Sequence, residues 1–150
     1  GPKKGGALGA DYISKAGLPV VNIPGCPSHP DWVLLTLAAV ILDKVSGDFL
    51  DEYQRPKAFF LPTHTVHENC PRRGFYDKGQ IDTGYAEGGC LWDLGCRAML
   101  AHSDCALRRW NDNQNMCTEA GAPCIACVEP TFPDVGNVLK IGKKRTINEV

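Results

Sequence analysis

The chain has 150 residues, of which 43% are hydrophobic and 22% charged, a composition that suits one soluble globular domain, or one domain with part of another. A formal net charge of −1 argues against a nucleic-acid surface, and the one basic run, Lys143-Lys144-Arg145, is predicted to be a solvated tail. The longest uncharged apolar stretch, residues 32–42, is far shorter than the roughly 20 residues that a bilayer-spanning helix needs. We therefore expect a soluble or peripherally membrane-associated protein, in the cytoplasm or, as the alternative, in the periplasm.

A strand and a helix are the first elements predicted along the chain. Residues 19–23 form a continuous apolar run, which is typical of a strand buried on both faces in a parallel sheet. Ligands of such sheets collect at the carboxyl ends of the strands, where Cys26 follows. Residues 32–45 predict a helix, with Asp31 as its N-cap and Gly47 as its C-terminal stop. That helix is apolar almost all round, and we expect it to be buried between layers.

One strand and one helix do not complete an α/β sheet. We therefore expect the other strands to lie on another polypeptide, or on the preceding part of a longer subunit. From residue 48 onward Gly, Pro, Asn and Asp recur every few residues, and only short helices are predicted, over residues 91–100 and 103–110. Because this region has little regular apolar patterning, bound metal is a plausible source of its stability.

Eight soft ligands lie between residues 67 and 127, and seven of them are cysteines. They are His67, Cys70, Cys90, Cys96, Cys105, Cys117, Cys124 and Cys127. Disulfide scaffolds are usually shorter and denser in cysteine, and a zinc ribbon would show two tight cysteine pairs where this chain has one. Iron–sulfur clusters accept scattered thiolates, because four of them must surround a bulky cubane. Eight ligands suffice for two such clusters, with Cys26 left over.

Five blocks of sequence carry a resemblance to a known family. In chain order they are NIPGCPSHPDW, HENCPRRGFYDKG, GGCLWDLGC, DCALRRWN and AGAPCIACVEPTFPD. Together they resemble the small, electron-transferring subunit of nickel–iron hydrogenases over about residues 18–134. The resemblance implies a mostly irregular fold with short helices, organised around iron–sulfur clusters in residues 48–150. Residues 1–47 would then be the last strand and helix of an α/β flavodoxin-like domain, whose first strands are missing.

The resemblance also assigns a cluster to every thiol. Cys26 resembles the last ligand of the proximal cluster, which another polypeptide would complete. The distal cluster is assigned His67, Cys70, Cys90 and Cys96. The medial cluster is assigned Cys105, Cys117, Cys124 and Cys127. Many family members have a proline in place of Cys117 and then a medial cluster of three irons, so we predict 4Fe-4S clusters at both sites, with 3Fe-4S as the medial alternative.

In function the resemblance implies an oxidoreductase subunit that conducts electrons and holds no catalytic residue of its own. H2 would be activated on a nickel–iron large subunit, and the electrons would pass to or from an outside protein or a quinone system. A further expected partner is a polypeptide carrying the N-terminal half of the small subunit. No nucleic-acid partner is expected. The alternatives are a zinc-stabilised structural or interaction module, and an iron–sulfur subunit of a related quinone-reducing complex.

Two choices among side chains near Cys70 remain open from the sequence. His64 is the alternative to His67 as a cluster ligand. Arg72 and Arg73 are predicted either to donate hydrogen bonds near a cluster or to pair with acidic residues at a subunit interface.

Overall fold

The computed structural model describes residues 1–133, so the predicted basic tail at Lys143-Lys144-Arg145 lies outside the described residues. Within 1–133 the regular structure is helical and short. The α-helices are α1 (Pro30–Ile41), α2 (Arg73–Asp77) and α3 (Cys105–Arg108), and the 3-10 helices are Gly47–Phe49, Val66–Asn69 and Trp92–Leu94. None of these helices is long and apolar enough to cross a membrane.

No β-sheet forms in residues 1–133, where strand pairing is limited to isolated bridges. The bridged pairs are Ile13 with Pro19, Leu50 with Pro56, Ile81 with Cys90, and Trp110 with Asn115. The predicted mostly irregular fold with short helices is thereby confirmed. Residues 19–23 are not paired as a strand within residues 1–133, where Pro19 makes an isolated bridge with Ile13 and the Asn22 N–H donates to the carbonyl of Gln54 at 2.8 Å. The predicted strand, whose sheet partners were expected outside this chain, stays a prediction.

Helix α1 begins and ends earlier than predicted. It starts at Pro30, whose fixed φ suits the first helical position. The N-cap is His29 rather than Asp31, since the Asp31 N–H donates to His29 Nδ1 at 3.1 Å. The helix ends at Ile41, just before Asp43, whose left-handed φ of 52° breaks the helical path without the predicted glycine.

The expected burial of α1 on all sides is wrong within the described residues. Only Trp32 and Thr36 are buried. The other apolar side chains of the helix and its C-terminal end are half-buried or exposed, and the exposed ones include Leu34, Leu35, Leu37, Ile41 and Leu42. The helix has an apolar surface on nearly every side, but residues 1–133 provide a packing partner for one side only.

The two helices predicted between residues 91 and 110 are much shorter than expected. The first is reduced to the 3-10 helix Trp92–Leu94, because Gly95 takes a left-handed φ of 100°. The second is reduced to α3, because Arg109 takes a φ of 59° directly after it. Left-handed residues are common ends of helices.

The core of the described region is aromatic at one end and lined by cysteine-bearing loops at the other. Trp32 is fully buried, with its ring centroid 5.0 Å from that of Phe60 and 6.5 Å from that of Phe59. Its indole N–H donates to Asp104 Oδ1 at 2.8 Å. The remaining buried cluster includes Val66, Leu91, Leu94, Cys96, Ala98, Ala101, Met116, Ala126 and Val128. Helix α1 therefore packs on the core mainly through Trp32, and Asp31 adds an ion pair with Arg108 at 3.3 Å.

Candidate functional site

The first group of predicted ligands, called here the histidine site, consists of His67, Cys70, Cys90 and Cys96. His67 and Cys70 share one turn, in which the Cys70 N–H donates to the His67 carbonyl at 3.2 Å. That turn is tied to the segment after Cys96, because the His67 N–H donates to the carbonyl of Ala98 at 3.0 Å. The backbone therefore brings His67 and Cys70 alongside the Cys96 segment.

Cys90 completes the thiols of the histidine site. Its N–H donates to Gln80 and its carbonyl accepts from Asp82, at 2.9 and 2.8 Å, which holds the residue in a closed loop. Burial raises the pKa of the Cys90 thiol to about 11, and the neighbouring thiols of Cys96 and Cys70 contribute to the rise. The three cysteines are therefore close enough to interact electrostatically.

His67 is the histidine that the structure associates with these thiols. Burial, followed by the positive charge of Arg73, lowers its pKa, which favours the neutral imidazole that binds metals. Its ring lies edge-on to Tyr76, with centroids 4.9 Å apart. His64 is exposed and its Nδ1 lies 2.9 Å from the Thr63 hydroxyl. These environments favour His67 over His64 as the ligand.

The second group, called here the four-thiol site, consists of Cys105, Cys117, Cys124 and Cys127. Burial raises the pKa of Cys105 to about 12, and the thiols of Cys127 and Cys117 add to the rise. The Ser103 hydroxyl opposes this by donating to Cys105 Sγ at 2.9 Å. Cys117 is the exposed member of the group.

Cys124 connects the two sites. Its pKa is raised well above the ordinary value, by burial first and then by the thiol of Cys96, with Cys105 and Cys127 contributing less. The backbone makes the same connection, since the N–H of Arg97 donates to the Cys124 carbonyl at 2.6 Å. The histidine site and the four-thiol site are therefore adjacent, and Cys96 and Cys124 form their junction.

The leftover thiol, Cys26, lies at the edge of the four-thiol site. Its backbone N–H donates to the Cys127 thiol, and the Cys26 side chain raises the pKa of Cys127 after the larger effects of burial and Cys117. Cys26 also contributes to the raised pKa of Cys117, after burial. Cys26 is itself exposed.

Hydrogen-bond donors reach the sulfur atoms of both sites, and the sequence did not predict them. In the histidine site, the backbone N–H of Trp92 donates to the Cys90 thiol and the Thr118 hydroxyl lies 3.3 Å from Cys70 Sγ. In the four-thiol site, the donors are the Ser103 hydroxyl and Ala126 N–H, which is 3.5 Å from Cys124 Sγ. Hydrogen bonds to the sulfurs are a recognised feature of iron–sulfur ligation. The donor set and its surroundings therefore fit iron–sulfur clusters.

Backbone geometry explains one of these donors. Ala126 lies between the two cysteines of the Cys-x-x-Cys pair and has a left-handed φ of 53°, which is uncommon for a residue other than glycine. This turn directs its N–H towards Cys124 Sγ, and the residue is completely buried. Ser103 was detectable in principle, because it stands two residues before Cys105 in the sequence.

Arg72 links three segments around the histidine site. Its Nε donates to the Thr118 carbonyl at 2.6 Å, and its Nη1 donates to the Gly89 carbonyl. The same nitrogen lies 3.6 Å from Asp82 Oδ2, while Asp82 Oδ1 accepts from the Gly89 N–H at 2.7 Å. Of the two roles predicted for Arg72, hydrogen bonding beside a cysteine site is the one observed. Arg73 instead pairs with Asp77 on the surface.

A single metal ion requires a tighter grouping of ligands than a cluster does. Among residues 1–133 no group of three or more His, Cys, Asp or Glu side chains is close enough together to hold one ion.

Comparisons with known proteins show that this chain is similar to hydrogenase small subunits. The family model for the C-terminal region of the NiFe/NiFeSe hydrogenase small subunit matches residues 63–140. The chain is 61% identical over 128 residues to the F420 non-reducing hydrogenase I small subunit of Methanosarcina mazei, covering 82% of this chain and 33% of that protein. The chain therefore spans about a third of the length of this curated relative.

Solved structures agree with these sequence comparisons. The actinobacterial-type NiFe-hydrogenase from Ralstonia eutropha H16 is similar with a TM-score of 0.77 and 35% identity, over 92% of this chain and 40% of that chain. The H2-activated NiFeSe hydrogenase of Dm. baculatum is similar with a TM-score of 0.70 and 39% identity, over 83% of this chain and 45% of that chain.

Proposed function

The chain belongs to the family of NiFe/NiFeSe hydrogenase small subunits, of which it contains the C-terminal region, and we propose that it conducts electrons within a nickel–iron hydrogenase. In this role it carries electrons between the H2-activating site of a large subunit and an external acceptor. Bound iron–sulfur clusters supply reversible one-electron redox chemistry. The protein's own residues hold the clusters, set their surroundings and keep them at a fixed separation.

The junction between the two sites is the observation that carries this proposal. Cys96 of the histidine site and Cys124 of the four-thiol site interact electrostatically, and a 2.6 Å hydrogen bond joins Arg97 N–H to the Cys124 carbonyl. Electron transfer slows steeply with distance, so two carriers in series must be held close together. A junction between the two ligand groups meets this need.

For the cofactors, we infer one 4Fe-4S cluster at each site. The histidine site takes the distal position and uses His67 with three thiolates. The four-thiol site takes the medial position, where Cys117 supplies the fourth thiolate that a fourth iron needs. We assign Cys26 to the proximal cluster, as one of its ligands.

The same proposal extends to the partners and to the N-terminal part of the chain. We infer that residues 1–47 form part of a flavodoxin-like domain and that residues 48–150 form the iron–sulfur domain. The exposed apolar side chains of α1 support this division, because a helix of that composition is normally covered on all sides. The expected partners are the nickel–iron large subunit and an external electron acceptor or donor.

Metal analysis of the hydrogenase complex containing this chain tests the proposal. The histidine and four-thiol sites should together contribute about eight irons, with the broad visible absorption of iron–thiolate charge transfer. A colourless protein containing stoichiometric zinc would contradict the proposal and favour a structural module.

Two variants test the separate assignments. Cys117→Pro should create a three-iron signal in the EPR spectrum of the oxidised complex, and a strong three-iron signal in the unmodified complex would refute the four-iron assignment.

His67→Ala should slow electron exchange with the external acceptor while H/D exchange at the nickel site stays nearly intact. Equal loss of both activities would argue against a distal role for His67.

A further inference from the structure

One hydroxyl group from the loop of the four-thiol site reaches into the histidine site. Thr118 Oγ1 lies 3.3 Å from Cys70 Sγ, although the two residues are 48 positions apart in the chain. Thr118 is 1% exposed, so no water competes for this contact. A thiolate carries no proton, and the hydroxyl is therefore the donor whenever Cys70 is deprotonated.

The position of this hydroxyl is fixed by the backbone around it. The Thr118 carbonyl accepts from Arg72 Nε at 2.6 Å and from the Gly121 N–H at 3.2 Å. Arg72 is in turn held by its contacts with Asp82 and the Gly89 carbonyl. Because both its neighbours and its own turn restrain it, Thr118 presents its hydroxyl to Cys70 without further rearrangement.

Resting on the function proposed above, we propose that Thr118 is a positioning residue that raises the reduction potential of the cluster at the histidine site through a hydrogen bond to the Cys70 thiolate. Hydrogen bonds to the sulfurs and the net charge of the ligands are among the factors that set the potential of an iron–sulfur cluster. A donor to sulfur stabilises negative charge, and the reduced form carries one more electron than the oxidised form. Reduction adds that single electron, breaks no bond at Thr118 and leaves the hydroxyl proton in place.

Thr118 and His67 act in the same direction. A neutral imidazole in place of a thiolate removes one negative charge and raises the potential, as histidine ligation does in Rieske centres. The four-thiol site has four thiolates and a hydroxyl donor of its own, Ser103. Each site therefore has one buried hydroxyl that can be removed separately, which provides a matched pair of variants.

The test is a redox titration of the assembled hydrogenase complex with dithionite as the electron donor, monitored by EPR. The signal of the histidine site is identified first, as the one that changes in a His67→Cys variant. Thr118→Val then removes the hydroxyl and keeps the side-chain shape, whereas Thr118→Ser keeps the hydroxyl. Ser103→Ala serves as the control at the four-thiol site.

In Thr118→Val we expect the ratio of reduced to oxidised cluster at a fixed potential to fall roughly tenfold, which corresponds to about 59 mV for a one-electron couple. Only the histidine-site cluster should shift, and Thr118→Ser should stay near the unmodified protein. Ser103→Ala should lower only the potential of the other cluster.

An unchanged potential in Thr118→Val, or an equal shift at every cluster, would overturn the inference while leaving the proposed function intact. Thr118→Ala provides a second hydroxyl-free variant of smaller volume. If both hydroxyl-free variants lose iron while Thr118→Ser retains it, the hydroxyl holds the site together and does not set its potential, which also overturns the inference. Absence of all iron–sulfur signals in the unmodified complex would instead refute the proposed function.

Discussion

The longest helix in residues 1–133 leaves most of its surface exposed, whereas the irregular cysteine-rich region contains most of the buried core. Helix α1 has 12 residues but buries only Trp32 and Thr36. The cysteine-rich region, described over residues 63–133, has no helix longer than five residues. It nevertheless supplies most of the buried side chains of the core.

Burial and long-range hydrogen bonds, more than regular secondary structure, therefore hold residues 1–133 in place. In the cysteine-rich region the backbone is held by long-range hydrogen bonds such as Val66 N–H to the Ala101 carbonyl and Arg97 N–H to the Cys124 carbonyl, at 2.8 and 2.6 Å. Helix α1 contributes by inserting one aromatic side chain into that region. We expect substitutions in the two regions to differ accordingly.

The largest effect is expected where the two sites meet. Cys124→Ser should abolish the cluster of the four-thiol site and destabilise the region around it, because its thiol and carbonyl contact the adjoining site as well. Iron content and EPR of the complex would measure this loss. Cys117→Ser is the matched control. Cys117 is the exposed fourth ligand, and its loss should leave a three-iron cluster held by the other three thiolates. Full iron content in Cys124→Ala, which offers no ligating atom in place of the thiolate, would rule out its role as a ligand.

The next largest effect is expected at Trp32, the fully buried aromatic side chain of α1. Trp32→Ala should lower the free energy of unfolding by about 3–5 kcal/mol, because it removes a fully buried indole and the partner of Asp104 Oδ1. Denaturant unfolding followed by circular dichroism would measure the change. Less than about 1 kcal/mol of destabilisation, the usual size for a point mutation, would show that α1 is not fixed through Trp32.

A smaller loss is expected at the polar contacts of Arg72. Arg72→Met should lower the free energy of unfolding by about 1–3 kcal/mol, because the buried Asp82 carboxylate loses its ion-pair partner and the Thr118 carbonyl loses a donor. Adding Asp82→Asn should recover part of that loss, since no unpaired buried charge then remains. If the double variant is less stable by the full sum of the two single effects, the two residues are not coupled.

The smallest effect is expected on the exposed side of α1. Leu34 is 64% exposed, so Leu34→Gln should change the free energy of unfolding of the chain by no more than about 0.5 kcal/mol. The same unfolding measurement provides the comparison with Trp32→Ala on the same helix. If Leu34→Gln weakens assembly with the other polypeptides of the complex while the chain's own stability is unchanged, the exposed face is covered in the assembly.

Local features of the sequence predicted the short helices and the irregular fold. They did not predict the end of α3, because Arg109 adopts a left-handed φ that nothing in its sequence neighbourhood requires. Gly95 is a helix stop signal in the sequence, and it indicates a shorter helix than the one predicted over residues 91–100. The apolar composition of α1 predicted what the helix can bury, but composition does not say which surface is available to it.

Contacts between distant segments were inaccessible to sequence reasoning. The Thr118 hydroxyl and Cys70 Sγ meet across 48 positions, and no periodicity or motif connects them. The grouping of the ligands into two sites rested on the family resemblance, since eight scattered ligands alone allow many pairings. The adjacency of Cys96 and Cys124 depends on how the loops pack, which the spacing does not encode.

In the proposed electron-transfer role, the hydrogen bond from Arg97 to Cys124 also provides a through-bond route between the two sites. From Cys96 Sγ the path runs through the side chain and its own carbonyl carbon to the Arg97 nitrogen. It then crosses the 2.6 Å hydrogen bond to the Cys124 carbonyl and continues to Cys124 Sγ. Every other step of this route is covalent, so the electronic coupling along it depends on this single hydrogen bond, and lengthening the bond weakens the route.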